Sequence, residues 1–250
     1  MSLLTVARDL QRRKARERSG RFVAEGLRTV EELLRSELAV DGVLAAESAD
    51  VMPRAATLLA AAAEAGVVVV RVSAQEFASA AGTDAPQGVL AVARTPDWTL
   101  ATLPAGPMHL VVLDGVQDPG NVGTILRTAA AFGATATIAL PGTVDLWNAK
   151  VVRSAMGSHF VHPTVSCTAD ALVPFLASRG VPLWGADAGG TPLPEVPVPA
   201  QWALAVGNEG AGLSHVIQQV VSQTVALPIS AAVESLNVAV ATGIFLFALR

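Results

Sequence analysis

The most restrictive feature of this 250-residue sequence is a series of short apolar runs without polar alternation. They lie at HLVVLD (109–114), ATIAL (136–140), VPLWGAD (181–187), ALAVG (203–207) and TVALP (224–228). Helix-like segments separate them, among them residues 121–133, 148–156, 214–221 and 236–250. Apolar strands separated by helices are typical of a parallel sheet that is covered on both faces. The sequence therefore predicts an α/β fold: a parallel sheet with helices on both faces.

A smaller α/β module is predicted ahead of this sheet. Its strand candidates lie at 21–26, 40–47, 67–72 and 87–94, and its helix candidates at 27–36, 53–66 and 74–80. The stretch TPDWTLATLPAGP that follows is rich in Pro, Thr and Gly and has no periodicity, which is typical of a linker. We therefore expect an N-terminal domain at 1–95, a linker at 96–107 and a second domain at 108–250.

Composition excludes several classes of protein. The chain is 52% hydrophobic, with a mean hydropathy of +0.49, but no apolar run reaches the roughly 20 residues that cross a bilayer. Cys167 is the single cysteine, which excludes an internal disulfide, and the four histidines have no metal-binding spacing, so we expect no metal site. The charged N-terminus lacks the pattern of a signal peptide, so we expect a cytoplasmic protein with no membrane contact.

The charges are unevenly distributed. The net charge is −4, yet residues 1–28 carry eight basic side chains against three acidic ones. Such a cluster is typical of a surface that contacts phosphates, and a solvated helix explains it equally well.

The first motif that could carry chemistry is LDGVQDPGNVGTILRTAAAFG (113–133). Asn121 stands where a helix N-cap is expected, after a predicted strand and a loop. Helical side chains lean toward the helix N-terminus, so Arg127 is expected to reach toward the Asn121 loop. Ligands bind at that edge of open α/β sheets. The alternative is that Asn121 only caps the helix and Arg127 faces solvent; a dinucleotide-binding turn is excluded because G-N-V-G is not G-x-G-x-x-G.

Two further motifs follow predicted strands. ALAVGNEGAGLS (203–214) runs into a glycine-rich turn, which is typical of a tight turn or a close ligand approach. In VALPISAAVESLNVAVATGIF (225–245), a loop after Pro228 leads to a predicted helix that begins at Ser235-Leu236-Asn237. An exposed helix N-terminus presents free N–H groups and the positive end of the helix dipole.

Taken in order, the three motifs resemble the SpoU-type RNA ribose 2′-O-methyltransferases of the SPOUT superfamily. The resemblance covers residues 109–250, and NAKVVRSAMGSHF (148–160) is similar to the segment between the family's motifs. Residues 1–95 resemble the RNA-binding module that many members carry ahead of the catalytic domain. The resemblance implies a deep trefoil knot in the C-terminal part of the sheet, S-adenosylmethionine as cofactor, and a homodimer formed through the catalytic domain.

The resemblance also implies roles for particular residues. The matching cofactor positions are Gly207, Leu227 and Leu236, with Ile229 close by. The matching catalytic positions are Asn121, Arg127, Glu209, Ser235 and Asn237. Candidates for RNA contact are Arg8, Arg12, Arg13, Lys14, Arg21, Lys150 and Arg153, for which simple surface charge is an equal alternative.

The expected reaction is methyl transfer to a ribose 2′-hydroxyl, with ribosomal RNA favoured over transfer RNA. A SPOUT enzyme that methylates a base nitrogen is an alternative, against which the Asn121 and Arg127 pair argues. A non-catalytic RNA-binding module is another, but it predicts damage at Asn121, Arg127 or Asn237, and all three are intact. The sequence leaves the RNA, the nucleotide and the biological purpose of the methylation open.

Overall fold

The computed structural model describes residues 1–83, 85–230 and 232–250, and the chain forms two compact units. The first comprises Met1–Asp97 and Trp147–Val161, and the second comprises Trp98–Leu146 and His162–Arg250. The first break, after Asp97, lies within the predicted linker.

The helices, numbered along the chain, are α1 (Leu3–Asp9), α2 (Arg13–Ser19), α3 (Leu27–Arg35), α4 (Pro53–Glu64), α5 (Ala74–Ala80), α6 (Pro119–Ala131), α7 (Ala149–Ser154), α8 (Ala169–Arg179), α9 (His215–Gln218) and α10 (Val238–Ala248). The strands are β1 (Arg21–Glu25), β2 (Val40–Ala46), β3 (Val69–Val72), β4 (Val89–Arg94), β5 (His109–Asp114), β6 (Ala136–Ala139), β7 (Thr164–Ser166), β8 (Leu183–Pro192), β9 (Trp202–Gly207) and β10 (Gln223–Ala226).

The first unit contains a mixed sheet with the strand order β1-β4-β2-β3, in which only β2 and β3 pair in parallel. The segment Trp147–Val161, which the sequence placed in the second domain, packs with this unit. Val152 and Phe160 are buried in its core, and the rings of Phe22 and Trp147 lie 4.5 Å apart. Buried apolar side chains thus pack a segment that is distant in sequence against β1.

The second unit confirms the predicted parallel sheet. Its strand order is β10-β8-β9-β5-β6-β7, and every neighbouring pair is parallel. Leu110 and Val112 of β5 and Ala203 and Ala205 of β9 are fully buried in one core, which explains why these strands lack polar alternation. Because the strands are parallel, the loops that follow β5, β8, β9 and β10 meet at one edge.

The last helix packs on the first helix of this unit, α10 against α6. Both begin at the same edge of the sheet, since each follows a strand or loop that ends there. Among the described residues, none of the helices combines the length and the apolar character that a membrane span requires.

Candidate active site

The start of α6 differs from the prediction. Asp118, and not Asn121, is the N-cap: its carboxylate accepts the backbone N–H of Asn121 at 2.7 Å. Pro119 occupies the first helical position, where its missing N–H costs nothing. The helix therefore starts earlier than predicted, and the side chain of Asn121 is left available for other contacts.

Asn121 links two other loops. Its amide nitrogen donates to Oε1 of Glu209 at 3.0 Å, and its amide oxygen accepts Nδ2 of Asn237 at 3.0 Å. Glu209 follows β9, and Asn237 precedes α10. Residues from all three sequence motifs thus form one continuous chain of hydrogen bonds.

The start of α10 also differs from the prediction. The predicted helix begins at Ser235, but the observed helix begins at Val238, with Asn237 as its N-cap. The Asn237 oxygen accepts the backbone N–H groups of Ala239 at 2.9 Å and Val240 at 3.2 Å, while its nitrogen donates to Asn121. One side chain therefore fixes both the helix start and the orientation of the Asn121 amide.

The turn after β9 is held closed by its backbone. Asn208 and Gly212 exchange two backbone hydrogen bonds of 2.9 Å each. A Cβ on Gly207 would lie 2.2 Å from the carbonyl carbon of Gly212, so no larger residue fits there without moving the turn. Gly207 is thus required for close backbone approach, and Gly212, with φ of +67°, is the residue that takes the left-handed conformation.

Glu209 is ionised in this setting. Partial burial raises the pKa of its carboxyl, but hydrogen bonds from the Asn121 amide and from nearby backbone N–H groups lower it, and the resulting pKa lies below the ordinary 4.5. One of those backbone donors is Gln117, 3.4 Å from Oε2. A carboxylate that can only accept hydrogen bonds explains why the Asn121 nitrogen points toward it.

A cleft of about 430 Å³ opens beside this chain of hydrogen bonds. All four predicted cofactor-binding residues line it: Gly207, Leu227, Ile229 and Leu236. Of the predicted catalytic residues, Glu209, Ser235 and Asn237 line it too. Asn121 is bonded to two of these, so the cleft and the polar chain form one site.

Arg127 lies apart from the cleft lining. It is exposed on α6, about two turns from the helix start, and its side chain makes no hydrogen bond or ion pair with the described residues. An arginine keeps its positive charge at any physiological pH. The structure therefore offers a free guanidinium on the helix that carries Asn121.

The predicted RNA-binding residues all belong to the first unit, and they differ in their contacts. Arg8 donates to Ser79 at 2.7 Å, Arg13 to Glu17 at 2.7 Å, and Arg21 forms an ion pair with Asp41. The remaining four are exposed or partly exposed: Arg12, Lys14, Lys150 and Arg153.

Sequence reasoning missed three residues of the site. Asp118 caps α6, Asn208 donates its amide N–H to the carbonyl of Gly115 at 2.9 Å, and Asp187 lines the cleft from the part of β8 that does not pair with β10. The dipeptide Asp118-Pro119 is a recognisable cap signal, and an acid at the carboxyl end of an apolar run marks Asp187. Within the described part of the chain, no three His, Cys, Asp or Glu residues group as metal ligands would.

Fold and site together define a parallel α/β protein whose site is built from loops at the carboxyl edge of the sheet. The chain belongs to the SpoU rRNA Methylase family, which residues 108–247 match, and residues 5–91 match the MRM3-like substrate binding domain. These matches confirm the family that the three motifs resemble.

Individual relatives agree with this assignment. The chain is 36% identical over 242 residues to the 23S rRNA (guanosine(2553)-2'-O)-methyltransferase RlmP of Bacillus subtilis, covering 96% of this chain and 93% of that protein. It is 36% identical over 196 residues to the 23S rRNA (guanosine-2'-O-)-methyltransferase RlmB of Ralstonia nicotianae, covering 76% and 79%. The crystal structure of the SpoU methyltransferase AviRb from Streptomyces viridochromogenes, in complex with AdoMet, superposes with a TM-score of 0.89 at 25% identity over 100% of this chain and 97% of that one.

Proposed function

We propose that this protein transfers a methyl group from S-adenosylmethionine to a ribose 2′-hydroxyl of ribosomal RNA. The observation that carries the proposal is the chain of hydrogen bonds Asn237–Asn121–Glu209 beside the cleft. It brings polar residues from three separate motifs to one point, in a unit that belongs to the SpoU rRNA Methylase family. Both 23S rRNA relatives described above carry 2′-O-methyltransferase in their names.

The chemistry of the cleft lining fits the cofactor. Leu227, Ile229 and Leu236 offer apolar contact to an adenine ring, and Gly207 lets the backbone of Gly212 close the turn that forms one wall of the cleft. The acidic side chains of Asp187 and Glu209 suit a ligand that carries positive charge. When bound, S-adenosylmethionine supplies an activated methyl group on a sulfonium leaving group.

The protein's own contribution is position and electrostatics. Asn121 and Asn237 hold one another in fixed orientations, and the ionised Glu209 anchors the chain. Ser235, on the cleft wall, adds a hydroxyl that can hydrogen-bond a ribose. We assign to Arg127 the stabilisation of the developing 2′-alkoxide or of the neighbouring phosphate, since a guanidinium that keeps its positive charge is a poor acceptor of protons.

Substitution of Arg127 tests this assignment. Arg127→Ala should lower methyl transfer by roughly 100-fold, the usual effect of removing one electrostatic stabiliser. It should leave the Kd for S-adenosylmethionine unchanged, because Arg127 does not line the cleft. Arg179→Ala, which removes an arginine on α8 that contacts Phe175, is the matched control and should be neutral in both assays. Near-normal transfer by Arg127→Ala would refute the assignment.

Ribosomal RNA is the proposed substrate, and the first unit is proposed to bind it. Exposed basic side chains such as Arg12 and Lys14 would contact the phosphates of the RNA. The 2′-hydroxyl would distinguish RNA from DNA. Mapping 2′-O-methyl groups in total RNA from cells with and without this protein tests the substrate. Loss at one ribosomal position is expected; loss in transfer RNA alone would reassign the substrate, and no loss would count against the enzyme.

We also propose that the protein is a homodimer and that its C-terminal segment is knotted, as the family resemblance implies. An exposed apolar stripe on α10 supports the dimer: Val240, Ile244 and Phe247 share one helical face and are 53%, 44% and 54% exposed. Light scattering of the wild type and of the Val240→Lys/Ile244→Lys double variant tests it. A monomeric wild type would refute the dimer.

The expected cytoplasmic location stays a prediction.

A further inference from the structure

The strand β8 leaves its partner strand beside the cleft. It pairs with β10 through Trp184 and Gly185, and again through Thr191 and Pro192, with residues 186–190 outside the ladder. Gly190 makes the return possible, since a Cβ there would lie 2.8 Å from the backbone of β10. Residues 186–190, which we call the excursion of β8, therefore leave the ladder and rejoin it just after Gly190. The excursion places Asp187 on the cleft wall.

Asp187 and Glu209 are the ionisable side chains among the described lining residues. Both oxygens of Glu209 accept hydrogen bonds from the protein, one from Asn121 and the other from Gln117. Asp187 differs, because one oxygen accepts the N–H of Gly189 at 2.8 Å and the other accepts no hydrogen bond from the described residues. The side chain is held by its own turn and keeps one acceptor available to a ligand.

The sheet order gives Asp187 a defined side of the site. Glu209 follows β9, Asn121 lies on the helix after β5, and β8 is on the opposite side of β9 from β5. Neighbouring strands are about 4.8 Å apart, so Asp187 is displaced from the Asn121 side by roughly two strand spacings. The methyl group that reacts must face the ribose on the Asn121 side.

We infer that Asp187 binds the α-ammonium group of the cofactor's amino-acid part. An ammonium has N–H donors for the available carboxylate oxygen, whereas a sulfonium has none. The apolar residues of the cleft are suited to the adenine, which leaves the excursion of β8 for the charged end. The inference deepens the proposed function and rests on its cofactor.

Calorimetric binding of three ligands tests the assignment without measuring activity. S-adenosylmethionine and S-adenosylhomocysteine both carry the α-ammonium, but only the first has a sulfonium; 5′-methylthioadenosine lacks the amino-acid part. Asp187→Asn is the informative variant, because its amide oxygen can still accept the Gly189 N–H. Asp170→Asn, an exposed acid at the start of α8 outside the cleft lining, is the matched control.

Asp187→Asn should raise the Kd of S-adenosylmethionine and S-adenosylhomocysteine by the same factor, about three- to tenfold for a partly exposed charged pair. The Kd of 5′-methylthioadenosine should not change, and Asp170→Asn should change none of the three. Equal weakening of all three ligands, weakening of S-adenosylmethionine alone, or no weakening would each overturn the assignment. Wild-type protein that binds none of them would refute the proposed cofactor itself, and the assignment with it.

Discussion

Replacement of Gly207 by alanine should damage the site through the backbone. The new Cβ would lie 2.2 Å from the carbonyl carbon of Gly212 and 2.4 Å from the nitrogen of Leu213. Carbon atoms in contact prefer about 3.5 to 4.0 Å, so the turn must shift by more than an ångström. That shift would strain the two 2.9 Å hydrogen bonds between Asn208 and Gly212.

The expected cost combines these two effects. Overpacking of this kind costs about 1 to 3 kcal/mol, and each strained hydrogen bond adds about 1 kcal/mol at most. We expect Gly207→Ala to lower the free energy of unfolding by about 2 to 4 kcal/mol in urea titrations. Because the turn forms a wall of the cleft, the Kd for S-adenosylmethionine should rise at least about tenfold, by the same energetic reasoning.

Two glycines in the same turn are matched controls. A Cβ on Gly210 would meet only Asn208 Oδ1, at 3.7 Å, so Gly210→Ala should stay within about 0.5 kcal/mol of wild type. Gly212→Ala meets nothing within 4 Å but must adopt φ of +67°, which costs about 1 to 2 kcal/mol. If Gly207→Ala were as stable as Gly210→Ala and bound the cofactor as well, close backbone approach would not be the reason for this glycine.

Three further predictions follow from the contacts described above. Asn237→Ala should lower the free energy of unfolding by about 1 kcal/mol, because it removes the helix cap. Asn237→Asp should restore this stability in urea titrations but not the rate of methyl transfer, because a carboxylate has no N–H to donate to Asn121. A wild-type rate for Asn237→Asp would contradict this. Burial lowers the pKa of His162 from 6.5 to about 4. The neutral imidazole therefore makes its full contribution to the free energy of unfolding above pH 6.5, and on the order of 3 kcal/mol is lost as the pH falls toward 4. His162→Gln should flatten the dependence of this free energy on pH, measured by urea titration, and an unchanged dependence would refute the cause. Burial raises the pKa of the Cys167 thiol to about 11, so its labelling by iodoacetamide at pH 8 should be at least about tenfold slower than in urea, and equal rates would contradict it.

Local patterns in the sequence were sufficient to predict most of the regular structure. The apolar runs that became β5, β6 and β9 lie within a residue or two of their predicted ends, and Gly66 takes φ of +77° just after α4, as a helix-ending glycine should. Local patterns did not predict β7 or α8. The strand is only three residues long, and α8 contains Pro174, which is atypical of a helix interior.

The helix starts at the site show where local patterns are insufficient. Asn121 and Ser235 both look like caps by residue type, yet Asp118 and Asn237 take those positions. Residue type limits which side chains can cap, but the neighbouring loops decide which one does. The amide of Asn121 is instead used between Glu209 and Asn237, 88 and 116 residues away along the chain.

The sequence by itself determined the parallel sheet, the motifs and the family, because burial on both faces and strand-to-helix turns leave local patterns. Tertiary structure alone decided which polar groups hydrogen-bond to one another and which basic side chains of the first unit form ion pairs with carboxylates. It also decided that Trp147–Val161 packs with the first unit. The physical reason is that hydrogen bonds and ion pairs act over about 3 Å in space between residues far apart in sequence. No local pattern encodes the fold that brings such residues together.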